Sequence, residues 1–180
     1  VGPSDIDSDN NHIYSELGFY NTQIGQAELL NRSVLTNEGK QLTGDSLFYD
    51  RVKGYGEAFD NVLFNDTINK NMLADTLQMY TFNLNTDSTF RETRAYHKVR
   101  MYRTDVQGVC DSLVFSSKDS CLTMYYDPIL WNNNQQLLGE EIMIYMNDST
   151  IDWAHIHNQT LSVEKLDSVN YNQVTGKDIK

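Results

Sequence analysis

Apolar and polar residues trade places along this chain at a period of two, and no segment carries the three-to-four spacing of an amphipathic helix. The run Leu42–Asp50 is representative. Asp45, Leu47 and Tyr49 fall on one face, and Ser46 and Phe48 on the other. Arg51-Val52-Lys53-Gly54 then reads as a tight turn, with Gly54 supplying the backbone freedom. The return run Tyr55–Phe64 places Ala58, Asp60, Val62 and Phe64 together. This pattern predicts an all-β chain of roughly a dozen antiparallel strands, given mean strand lengths near five to six residues. Only two prolines occur, so long strands can run unbroken. Asn133–Glu141 contains helix formers, but Gly139 and the repeat register make it turn plus strand.

One phrase recurs within that alternation. Gly44-Asp45-Ser46-Leu47-Phe48-Tyr49 returns as Ala74-Asp75-Thr76-Leu77, as Cys110-Asp111-Ser112-Leu113, and more loosely as Gly139-Glu140-Glu141-Ile142. The acidic positions step by 30, 36 and 29 residues. Such a period is the mark of stacked structural units, which place equivalent residues in rows. The return strands correspond as well: Ala58–Phe64 matches Ala95–Met101, and Tyr125–Trp131 is read in the same frame.

Aligned in this way, the units predict apolar columns on one face. One set is Leu47, Leu77, Leu113 and Ile142, followed by Tyr49, Met79, Phe115 and Ile144. The other is Val62, Val99 and Ile129, followed by Phe64, Met101 and Trp131. Ser112 and its equivalents face outward in this frame. A sheet with one apolar face must fold over, close, or bind something.

The repeats are clear from Gln41 onward, which divides the chain into an irregular segment at 1–40 and a repeat domain at 41–180. Asp5–Asn11 is polar and is expected to fray. Asn71-Met72-Leu73-Ala74 joins two strands with almost no turn, which implies an unusually tight connection or missing residues between Met72 and Leu73. Val174-Thr175-Gly176-Lys177-Asp178-Ile179 resembles another repeat start, so the chain reads as a piece of a longer protein.

Composition narrows the function. The net charge of −11 argues against nucleic acid, which needs a basic footprint, and against charge-driven docking to an anionic membrane. Aromatic residues at 11% are too many for a disordered acidic segment. No stretch approaches the roughly 20 apolar residues of a membrane-spanning helix.

Candidate chemistry is sparse. His155 and His157 share a strand face beside Trp153 and could begin a metal site, but no further ligands are visible, so solvent-facing histidines are expected and no metal is predicted. His97 falls in an apolar column and reads as an interior histidine. Cys110 and Cys121 are out of register for a disulfide across the Ser116–Ser120 turn, with Cys121 facing Phe115, and read as free and packed. Asp5-Ile6-Asp7-Ser8-Asp9 lacks the glycine and final glutamate of a calcium loop. Gly-Asp-Ser-Leu at 44–47 matches a lipase phrase, yet it repeats and sits among strands, so Ser46 is no nucleophile. Asp45, Asp75 and Asp111 form a row, whereas a glycosidase needs one pair. The expectation is therefore no catalytic residue and no cofactor.

Taken together, Leu42-Thr43-Gly44-Asp45-Ser46-Leu47-Phe48-Tyr49-Asp50 and Tyr55-Gly56-Glu57-Ala58-Phe59-Asp60-Asn61-Val62 resemble the OstA-like family, the LptA-type periplasmic lipopolysaccharide-transport domain. Asp60 stands where that family often has glycine. The likeness covers about 41–180. It implies an elongated, V-shaped β-jellyroll that stacks end to end and carries lipopolysaccharide by its acyl chains between two membranes. It further implies a periplasmic location, head-to-tail partners of the same kind, and lipopolysaccharide or another amphiphile as ligand, held by the columns named above. Two other readings remain open on the residues alone. One is a structural scaffold of the cell envelope with solidly packed columns. The other is a polysaccharide-acting β-solenoid enzyme with converging acids.

Overall fold

The computed structural model describes residues 3–8, 11–37, 39–66, 70–147 and 150–180. Among these the chain is all-β and antiparallel, and its strands form one sheet. In chain order they are β1 (Ser4–Ser8), β2 (Asn11–Ser15), β3 (Leu17–Asn21), β4 (Gln26–Asn37), β5 (Lys40–Asp50), β6 (Tyr55–Asp66), β7 (Lys70–Phe82) and β8 (Phe90–Tyr102). There follow β9 (Val106–Ser116), β10 (Cys121–Tyr125), β11 (Ile129–Asn132), β12 (Gln135–Leu138), β13 (Glu141–Asn147), β14 (Thr150–Lys165) and β15 (Tyr171–Ile179). Strands β4 to β9 pair with their sequence neighbours, as meandering hairpins do. Next, β10 and β11 lie end to end against β9, β13 and β12 lie end to end against β14, and β15 pairs with β14 along the sheet's last edge.

The recurring phrase is the point at which every strand turns a corner. Alternate strands carry two adjacent residues in the left-handed region: Asn31-Arg32, Asp60-Asn61, His97-Lys98, Tyr126-Asp127 and Asn158-Gln159, with φ between 48° and 62°. Several are Asn, Asp or His, which tolerate that region best. Each pair faces a single residue on the strands beside it, and the register shifts there from β4 through β9. Two residues against one is a β-bulge, and a bulge bends its strand. Aligned across the sheet, the bulges fold it along one line into two arms.

The lone residues opposite these pairs are the repeated acids Asp45, Asp75, Asp111 and Glu140. Their carboxylates tie the corner together on its outside. Asn61 Nδ2 donates to Asp45 at 2.8 Å, Lys98 Nζ to Asp75 at 3.2 Å, and Gln159 Nε2 to Glu140 at 2.8 Å. His97 Nδ1 lies 3.5 Å from Asp111. His97 is thus exposed at the corner rather than interior, because the corner lifts it out of the alternation between Ala95 and Val99.

The inner face of the first arm carries an unbroken buried row: Leu29, Leu47, Ala58, Leu77, Ala95, Leu113, Met124, Ile142 and Ile156, none more than 7% exposed. Across the corner Val62, Ala74, Val99 and Cys110 are buried in the same cluster. Each large aliphatic side chain here contributes about 2 kcal/mol relative to exposure. Ala58 and Ala95 alternate with Leu47, Leu77 and Leu113 in the middle of the row.

The structure corrects several expectations drawn from the sequence. Residues 4–37 form strands of the same sheet, and β4 pairs with β5 from Gln26 to Asn37. Ser15-Glu16 occupies the same corner position as Gly44-Asp45, since Ser33 and Leu30 flank both in register. No boundary therefore falls at 40. Within Asp5–Asn11, β1 and β2 pair as a hairpin, while Asp9 and Asn10 lie outside the described residues. Met72-Leu73 is mid-strand in β7, so the connection is neither tight nor broken there.

The turn after β5 forms as read, with Gly54 at φ 64°. Asp50 organises it: its carboxylate accepts from the backbone N–H of Val52 at 3.0 Å and of Lys53 at 2.9 Å, and from Gln26 Nε2 at 2.8 Å. The Lys53 backbone bond and then the Gln26 bond hold the Asp50 carboxyl below the usual carboxylate range. A depressed value in the fold stabilises above the unfolded value, and that stability is lost as pH falls through the folded one. The wild-type chain should therefore lose more melting temperature than Asp50→Asn between pH 5 and about pH 2. Equal losses in parallel acid melts would contradict this role.

Candidate functional site: an apolar cleft between the arms

Away from the corner the two inner faces part, leaving a cleft of about 300 Å³. The first arm contributes Leu77, Met79, Leu113, Phe115, Leu122 and Ile144, and the second contributes Phe64, Met72, Met101 and Val106. Met146 and Ile151, paired across β13 and β14, complete the wall. Four of the six methionines of the chain are here, at 72, 79, 101 and 146. Methionine is flexible and polarizable, so such a wall adapts to apolar ligands of differing shape.

Of the columns read from sequence, Phe64, Leu77, Met79, Met101, Leu113, Phe115 and Ile144 line the cleft. Leu47, Val62, Val99 and Ile142 are buried beside the corner instead, in the solid part of the core. Tyr49 points inward by register but is 47% exposed and lies outside the cleft lining.

Ile129 and Trp131 belong to the opposite face. The left-handed pair in this unit is Tyr126-Asp127, one residue earlier than the frame assumed from sequence, so Pro128 and Leu130 take the inward positions. Trp131 pairs with Gln107 and lines a separate polar recess with Thr104, Asp105, Gln107 and Asn133. The cysteine register shifts by one residue too: Cys121 faces Ser116, and Leu122 faces Phe115. Both cysteines are free and buried, as read.

Met72, Val106, Leu122, Met146 and Ile151 line the cleft without having been singled out. Their signal lay in the alternation on the far side of each corner. Because odd strands spend one residue at the corner, inward positions run Leu42, Gly44, then Leu47, Tyr49, and Met72, Ala74, then Leu77, Met79. The spacing is two, three, two.

Polar groups at the cleft are few. Asn71 is among the lining residues, and among the described residues its Oδ1 is the buried side-chain polar atom without a hydrogen-bond partner. Thr93 and Tyr102 add hydroxyls, and Arg103, paired with Asp105, is also among the lining residues. Burial pushes the Cys110 thiol up to about 12, which keeps it protonated and inert as a nucleophile. The repeated acids stand along the outside of the corner, each engaged with a neighbouring strand. The cleft can therefore bind an apolar group and offer one or two hydrogen bonds beside it.

No protein-family model matches the chain, and no curated protein matches it in sequence.

Proposed function

We propose that the chain holds the acyl part of an amphiphile in the cleft between its arms and does not turn it over. The observation that carries this reading is the cleft itself: apolar, methionine-rich and open beside the packed row. At about 0.8 kcal/mol per buried CH₂, six methylenes contribute about 5 kcal/mol, enough for useful affinity in a preformed site. Asn71 Oδ1 would accept a hydrogen bond from a hydroxyl or amide next to the chain, which a hydroxylated or amide-linked acyl group supplies and a plain alkane does not. The acids along the corner stand outside it, and none of them is among the residues lining the cleft.

The resemblance of the corner phrase to the OstA-like repeats makes lipopolysaccharide the ligand class proposed, within a periplasmic transport bridge. The left-handed backbone at Asp60-Asn61 supports that likeness, because the family glycine at this point would serve the same φ. The exposed strand β15 is the edge at which a further module or copy would add by strand pairing.

A photo-crosslinking residue at Met79 should capture purified lipopolysaccharide or lipid A, while the same residue at Gln78, one position along and facing out, should not. Met79→Asp should abolish capture at a Phe115 crosslinker with little change in melting temperature, because Met79 is only half-buried. Capture at both positions, or at neither, would reject the cleft as the site. Hydrolysis of an ester or glycan, lost in Ser46→Ala or Asp45→Asn, would reject binding without turnover.

A further inference from the structure

The outer face of the last two strands gathers a group of side chains that the cleft does not use. His155 and His157 lie two apart on β14, so both project outward, and their rings are 3.7 Å apart between centroids. Asp178 on β15 stands directly opposite His157, and its Oδ1 lies 2.9 Å from His157 Nδ1. One ligand atom from each of the three lies within 4.8 Å of the others. Glu141 on β13 faces His157 from the other side, and Met143 faces His155.

We propose that His155, His157 and Asp178 bind a divalent transition metal of the Zn²⁺ type, which clips β15 to β14. Two imidazoles and a carboxylate are the donor set that favours zinc over calcium or magnesium. Ligand atoms around a tetrahedral ion lie roughly 3.4 Å apart at zinc–nitrogen distances near 2.1 Å, so small rotations of side chains on the surface close the set. The solvent side keeps a position for water or for Glu141. Asp178 and Glu141 balance the charge of the ion.

The location gives the ion a structural task. Beyond the corner only two register pairs hold β15 to β14, Ile156 with Ile179 and His157 with Asp178. The metal would bridge this short ladder, and β15 is otherwise an exposed edge. The fully sequence-local alternative, Asp5, Asp7 and His12, offers a single imidazole and two exposed carboxylates, which suits zinc less well. This inference does not depend on what occupies the cleft.

Zinc chloride titrated calorimetrically into the metal-free chain should show one site, and cobalt in its place should give the visible absorption of tetrahedral nitrogen–oxygen ligation. His155→Gln with His157→Gln should weaken zinc binding by more than about tenfold, whereas His12→Gln should not. Zinc should also slow amide hydrogen exchange at Asp178 and Ile179, and Asp178→Asn, an exposed change that leaves the core intact, should remove that protection. Unchanged zinc affinity in the double variant would overturn the proposal. So would unchanged exchange at Asp178 and Ile179 in the presence of bound zinc.

Discussion

Leu113→Asp should cost the fold about 4 kcal/mol or more, a large part of the stability of a domain this size. Leu113 is 2% exposed and sits in the middle of the inner row, between Ala95 on β8 and Met124 on β10. A carboxylate there loses its hydration and meets only apolar neighbours in the row. Gln107→Asp is the matched control. It lies on the same strand, faces outward and is exposed, so its cost should stay within about 0.5 kcal/mol. Ser112→Asp separates face from burial. From sequence it reads as an outward, mild position. In the fold Ser112 is outward but only 8% exposed, and its hydroxyl already donates to Asp111 at 2.9 Å. A second carboxylate would be enclosed beside the first, so a cost between those of the other two is expected. Urea melts of the three variants would test this order. A Leu113→Asp chain as stable as Gln107→Asp would refute the inner row.

The strands were legible because the period-two signal is strong and the prolines are few. The corner phrase was visible as a repeat, but its geometry was not. Small-acidic dipeptides such as Gly44-Asp45 look like turn residues, and only the register shows that they face two left-handed residues on each side. That one-against-two count is also why the face assignments survived in β6 and β8 yet slipped at Tyr125–Trp131. A two-residue corner preserves parity, so Ala58 and Val62 both stay inward. When the pair is placed one residue late, Ile129 and Trp131 take the places of Pro128 and Leu130. The first copy, Ser15-Glu16-Leu17-Gly18, escaped notice because leucine follows the acid directly and the inward position carries Gly18.

The cleft was half legible for a related reason. Columns assembled from one strand type name the rows but not where along the corner the arms part. Leu47 and Leu77 hold the same place in the phrase and share one row, yet only the second reaches the cleft. Which rows separate depends on the opening of the arms, a property of the whole line of bulges. The cluster of His155, His157 and Asp178 was hidden differently: the two histidines announce themselves by spacing, but Asp178 joins them only through the pairing of β15 with β14.

Gly139→Val should be among the most damaging single changes at the corner, costing about 3 kcal/mol and lowering the melting temperature by roughly 6–12 °C. Gly139 holds the small position of the fourth phrase, where Gly44, Ala74 and Cys110 stand in the others. A Cβ placed on it would lie 2.4 Å from Ile156 Cγ2, 3.0 Å from the His157 carbonyl oxygen and 3.4 Å from that of Asn158. Ile156 is 2% exposed and belongs to the inner row, so it has no free direction in which to move. The carbonyls belong to the backbone that leads into the left-handed pair Asn158-Gln159, so relief would have to come from the corner itself. Gly44→Ala tests the same position with more room: its nearest contacts for a Cβ are 3.3 Å, and Ala74 already fills the equivalent place in β7. It should cost at most about 1 kcal/mol. Pairing the two variants isolates the cause. If the position merely needed a flexible backbone, both substitutions would hurt alike. If close approach of β14 to the corner is what demands glycine, only Gly139 should be sensitive, and Ile156→Ala should recover part of the loss in a double-mutant cycle.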